Sequence, residues 1–87
     1  PKNRAPTFLS KGVTDSGRGR KVGEEKSHLR LVLNTNNTQV TSIGFGMADD
    51  FEKVTNNKQF NICYSIDENH WNGNITIQLR LKGIKKY

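Results

Sequence analysis

The sequence contains one cysteine, two prolines, one methionine and one tryptophan, and no apolar run near the roughly 20 residues that a membrane-spanning helix requires. A lone cysteine, Cys63, rules out an internal disulfide, and no spacing of cysteine and histidine resembles a zinc site. A reducing, cytoplasmic setting is therefore expected, away from any membrane. Internal repeats and low-complexity segments are also missing. The 87 residues suffice for one domain with a single modest core, because a chain this short buries only about 60% of the surface its unfolded form exposes. That excludes a large enclosed active site. With 32% hydrophobic and 25% charged residues, the composition fits a small globular domain with a wet surface rather than a disordered tail. The opening "PKNRAP" reads as a linker, so residues 1–6 are expected to be a linker remnant of a larger protein and residues 7–87 the domain itself.

Acidic residues are scarce at both ends. Residues 1–30 hold eight Lys or Arg against three acids, residues 31–68 two against five, and residues 69–87 four against none, for a net charge of +6. A fold that brings the basic ends together would present one positive face, suited to a polyanion such as nucleic acid or an anionic membrane surface. Plain solubility is the competing explanation.

Hydrophobic periodicity outlines the elements. Val13 and Val22 flank Gly17 and Gly19 in "GVTDSGRGRKV", which predicts a first strand over 12–22 broken by a bulge or kink. "HLRLVLN" (28–34) places Leu29, Leu31 and Leu33 on one face, with His28, Arg30 and Val32 on the other. The turn-tolerant "TNNT" leads into a third strand, "QVTSIGFGM" (39–47), where Ile43 and Phe45 share a face and are assigned to the core. In "ADDFEKV" (48–54) the spacing changes: Ala48, Phe51 and Val54 recur every three residues behind two acids, which predicts a helix of about two turns. Period two returns in "FNICYSI" (60–66), with Phe60, Ile62, Tyr64 and Ile66 inward. It continues in "ITIQLRL" (75–81), with Ile75, Ile77, Leu79 and Leu81 inward, after the Asn72-Gly73 turn signal.

The order β-β-β-α-β-β leaves two sheet edges to protect, and closing the sheet protects both. The expected architecture is an all-β, five-stranded OB-fold barrel with a helix between the third and fourth strands. That fold binds oligonucleotides across its second and third strands and the loops beside them. Small α+β sandwiches can share the order.

The blocks "HLRLVL", "SIGFGMADDFEKV" and "YSIDENHWNGNITIQLRLKGI" resemble the OB domain of the RecJ family of single-stranded-DNA-specific exonucleases, in the DHH superfamily, over roughly residues 7–84. "IGFGM" (43–47) and "ENHWNG" through "QLRLKGI" carry most of the likeness; Gly83 stands where family members often have aspartate. The resemblance implies a parent that degrades single-stranded DNA from its 5′ end in repair and recombination, with Mg or Mn held by motifs in other domains. Two-metal hydrolysis needs several converging carboxylates and histidines. Here Asp49 and Asp50 read as a helix start, and Asp67, Glu68 and His70 as turn decoration. This chain is therefore expected to hydrolyse nothing, to carry no metal or other cofactor, and to hold single-stranded DNA for the catalytic domains of its parent.

Binding of that kind joins a cationic groove along the phosphates to planar side chains that stack on bases. Alternation puts Arg30 on the outer face of the second strand, and Gln78, Arg80 and Lys82 on the outer face of the last. Pairing of the first two strands would bring Arg18, Arg20 and Lys21 close to Arg30. Trp71 completes the candidate set, either stacking on a base or, the favoured alternative, covering the end of the core. Cys63 reads as a surface or interface residue. Two other readings remain: a spacer that docks on protein through the acidic middle, and an RNA-binding module, which competition between DNA and RNA oligomers would separate.

Overall fold

A computed structural model of the chain describes residues 6–86. Residues 1–5 of the expected linker lie outside the described residues, as does Tyr87. Six strands form one sheet: β1 (Phe8–Asp15), β2 (Arg20–Val22), β3 (His28–Thr35), β4 (Thr38–Gly44), β5 (Phe60–Trp71) and β6 (Asn74–Lys86). Their order is β1-β5-β6-β4-β3-β2, and β1 also meets β3 at Thr14↔Asn34 and Asp15↔Leu33.

This six-stranded sheet replaces the expected five-stranded barrel. The segment predicted as one kinked strand is two strands, because Ser16 to Gly19 stand opposite only Leu31 and Val32 between the pairs Asp15↔Leu33 and Arg20↔Arg30. That surplus cannot be absorbed as a kink, and pairing stops. The break is crowded: a Cβ on Gly19 would lie 2.7 Å from Leu31 Cδ2, so a larger residue there would have to displace that methyl.

The core follows the alternation of β3. Leu29, Leu31 and Leu33 are fully buried and pack with Val13, Phe60, Ile62, Leu79 and Leu81. Between β4 and β5, a 3₁₀ turn (Ala48–Asp50) runs into the short helix α1 (Phe51–Val54). The three-residue spacing that predicted a helix places Val54 in the core and Phe51 against it.

In two places burial differs from the expected pattern. On β4, Leu33, Leu31 and Leu29 pair with Val40, Ser42 and Gly44, so those three face inward with the leucines. Ser42 is 0% exposed and donates to the Leu31 carbonyl at 3.3 Å, which satisfies its hydroxyl without water. Ile43 and Phe45 consequently face out, and Phe45 is 56% exposed. The second difference lies in the β5–β6 hairpin. β6 pairs with β4 only at Ser42↔Leu79 and Ile43↔Arg80, whereas β5 and β6 remain paired as far as Trp71↔Asn74. Beyond Leu79 the two strands form an arm roughly 17 Å long at about 3.4 Å per residue. Ile66, Ile75 and Ile77 keep the parity expected of them but are exposed, because the core ends before the arm does.

Both predicted hairpin turns are present. Asn36 and Asn37 have φ of 43° and 70°, and Asn72 and Gly73 have φ of 50° and 80°, the paired positive values of a type I′ turn. A Cβ on Gly73 meets nothing within 4 Å, so Gly73→Ala tests backbone strain alone. A stability loss of about 1 kcal/mol is expected in urea titration. A loss near zero would show that the arm's turn does not contribute to the cooperative unfolding transition.

Candidate nucleic-acid interface

Strand register places three arginines in one cross-strand row. Arg20 pairs with Arg30, Arg30 with Ile43, Ile43 with Arg80, and Arg80 with Ser65. Directly opposed residues project on the same face, and neighbouring strands lie about 4.8 Å apart. Arg20 and Arg30 are thus adjacent, and Arg80 is two strands further on. Like charges set directly opposite each other destabilise a sheet. Among the described residues the salt bridges are Lys21–Glu52, Lys53–Asp50, His70–Glu68 and Arg80–Asp67, so neither Arg20 nor Arg30 has an acidic partner.

The same two arginines line a concavity of about 590 Å³ together with Gly17, Arg18, Val32, Gln39 and Thr41. The β1–β2 break makes this space, and it carries Arg18 to the rim. Three cations, an amide and a hydroxyl line it, with no carboxylate among them. The lining can donate hydrogen bonds to phosphate oxygens from several directions, and guanidinium can do so in a two-bond fork.

Beyond Ile43 the row reaches an aromatic site that alternation had assigned to the core. Phe45 lies on the outer face, with the Arg80 guanidinium carbon 5.3 Å from its ring centroid. His28 meets the same ring edge-on, with centroids 5.2 Å apart and an interplanar angle of 74°. His28 Nδ1 also accepts the Gly46 N–H at 2.8 Å, which fixes the turn carrying Phe45 to β3. The Arg80 Nε–H donates to Asp67 Oδ2 at 3.1 Å. The sequence did hold a signal for Phe45: Ser42 and Gly44 are small enough to pass beneath a sheet, and their parity is opposite to that of Phe45.

The other expected residues divide. Gln78 shares a face with Arg80, two positions along β6. Lys82 is exposed but occupies the register irregularity, where Cys63 pairs with Gly83 and Tyr64 with Leu81, so alternation no longer fixes its side. Lys21 leaves the group. Consecutive strand residues face opposite ways, and Lys21 sits 5.7 Å over the Phe51 ring with its amine 3.5 Å from Glu52. Trp71, at the tip of the arm, is 75% exposed, which overturns the favoured alternative of a core cover. By parity Trp71 shares the arm's face with Asn69, Asp67 and Ser65, and so with Arg80. Arg20, Arg30, Arg80, Phe45 and Trp71 therefore follow one side of the sheet and its arm.

No group of three or more His, Cys, Asp or Glu among the described residues could hold a metal ion. No described helix is long and apolar enough to cross a membrane. The family described as the RecJ OB domain matches residues 1–83. In fold, the chain is similar to the SSB domain of a protein from Synechococcus sp., known from a crystal structure, with a TM-score of 0.68 and 10% identity over 98% of this chain and 99% of that one. No curated protein sequence matches.

Proposed function

The chain belongs to the RecJ OB domain family, and from that premise we propose that it binds single-stranded DNA along the arginine row. In this reading it holds substrate for a 5′→3′ single-strand-specific exonuclease core, with its Mg or Mn, carried elsewhere in the same parent protein. The observation that carries the proposal is the adjacent pair Arg20 and Arg30, opposed across β2 and β3 with no salt bridge to either among the described residues. An arrangement that costs the free domain stability is accounted for by an anionic ligand that reverses the cost. Arg18 extends the cationic track into the concavity, Arg80 and Gln78 extend it across β6, and Phe45 and Trp71 supply π-faces. Stacking tolerates any base, so binding without sequence preference is expected. Lys82 stays in the proposed set as an exposed cation near the row.

The test is a titration of the chain with labelled single-stranded and duplex DNA at several ionic strengths. With three or four phosphates neutralised, log affinity is expected to fall against log salt with a slope of about −2 to −3 for a single strand. Equal affinity for duplex, or a flat salt response, would reject the reading.

Trp71 supplies a second measurement. As the only tryptophan, it reports its own surroundings. Its emission is expected to be that of a solvated indole in the free chain and to be quenched by single-stranded DNA. Unchanged emission at saturation would remove Trp71 from the binding track.

One observation favours docking on protein, at a surface other than the acidic middle. A mainly apolar concavity of about 360 Å³, lined by Leu9, Ile62, Cys63 and Ile84 among others, lies where β1, β5 and β6 adjoin. Docking on protein through this surface would leave oligonucleotide affinity weak and nearly independent of salt.

A further inference from the structure

Resting on that reading, we propose that Arg80 occupies, in the free domain, the position on Phe45 that a nucleobase takes in the complex, and that Asp67 sets the affinity by holding it there. Stacked π-systems sit with centroids about 4.5–7 Å apart. The Arg80 guanidinium, 5.3 Å from the Phe45 centroid, lies within that interval. A base and the guanidinium cannot both occupy the same side of the ring at that distance. His28 lies against the same ring at 74°, so it does not stack on it as a parallel planar group would.

The two occupants are chemically alike in what the ring requires. Guanidinium is planar, weakly hydrated and attracted to a π-face, as a base is. Covering Phe45 with it shields an exposed ring on the sheet surface until a strand arrives. Asp67 completes the arrangement: its Oδ2 accepts from Arg80 Nε at 3.1 Å, so the cation is neutralised as well as parked. When a base takes the ring, Arg80 leaves Asp67 and turns its charge and hydrogen bonds to a phosphate. Capture of one base thus releases one cation, and the stacking and phosphate contacts form together. A sugar–phosphate backbone without bases has nothing to put in Arg80's place.

The experiment follows the Arg80 Nε–H resonance in the intact chain while oligothymidylate, or an abasic oligomer of equal length, is added. Arg80→Lys identifies the signal. Saturating oligothymidylate is expected to shift the resonance away from its Asp67-bonded position, and the abasic oligomer to leave it in place. In parallel, Asp67→Asn is expected to tighten oligothymidylate binding up to about fivefold. Glu68→Gln removes the same charge one residue away, from an acid bonded to His70 rather than Arg80, and is expected to change affinity less. Equal shifts with both oligomers would overturn the exchange, as would a fixed Arg80 resonance under saturating oligothymidylate. Asp67→Asn binding no tighter than Glu68→Gln would overturn the role of Asp67. If neither oligomer binds the unaltered chain in a salt-dependent way, the DNA-binding reading has failed and this inference falls with it; that result is distinguishable because it appears before any substitution is made.

Discussion

Replacing Arg20 and Arg30 together with alanine is expected to weaken single-stranded DNA binding by roughly 30-fold, about 2 kcal/mol, while leaving stability unchanged or slightly raised. The two effects have different origins. Each guanidinium lost removes a charge-assisted contact to phosphate, discounted here because the site is open to water and salt. Counterion release predicts a further signature: the log–log salt slope becomes shallower by about 1.4, or 0.7 for each phosphate contact on a single strand. The stability arm runs the other way. Arg20 and Arg30 oppose each other across β2 and β3, so their removal relieves repulsion within the sheet. A lowered melting temperature together with an unchanged salt slope would assign both residues to packing. The Lys21→Ala variant is the natural comparison: with its amine tied to Glu52 on the other face, it is expected to leave the salt slope unchanged.

Phe60→Ala is expected to have the largest effect on folding, about 3–5 kcal/mol. Phe60 begins β5, pairs with Val13, is 1% exposed and has the greatest volume among the fully buried side chains. Truncation loses the transfer energy of a phenyl ring and leaves a cavity where β1, β5 and the leucines of β3 converge, which the strands cannot fill without losing register. Small domains have total stabilities of only about 5–15 kcal/mol, so a large share of the margin is removed. A melting temperature lower by about 20 °C is expected at 4–8 °C per kcal/mol. Phe60→Leu keeps most of the volume and is expected to cost less than about 1.5 kcal/mol. A mild effect of the alanine variant would mean that β5 enters the sheet in a different register.

The parts of the fold governed by neighbours in sequence are legible in the chain itself. The leucines of β3 alternate within six residues and are buried as expected. Ala48, Phe51 and Val54 mark their helical turns. Asn36-Asn37 and Asn72-Gly73 form the turns that their tolerance of positive φ allows. Family resemblance, carried by "IGFGM" and "ENHWNG" through "QLRLKGI", agrees with the match to the RecJ OB domain.

The remaining features depended on what each strand lies against. Hydrophobicity pointed Ile43 and Phe45 inward, but inward on β4 means the side shared with Leu29 and Leu31, and that side belongs to Gly44 and Ser42. Ile75 and Ile77 were assigned to a core that stops at Leu79. Arg20 and Lys21 adjoin in the chain and separate in space, because one lies in the arginine row and the other over Phe51. Alternation along a strand carries two solutions of equal merit. Only pairing with the next strand selects between them, and only the extent of that pairing says where burial ends. Residue order was therefore enough for β3 to β6, the turns, the short helix and the basic character of this protein, but not for the division of the first predicted strand into β1 and β2. The face on which its arginines and aromatics meet was set by register, since a shift of one residue exchanges inside for outside and no short stretch of sequence records its partner.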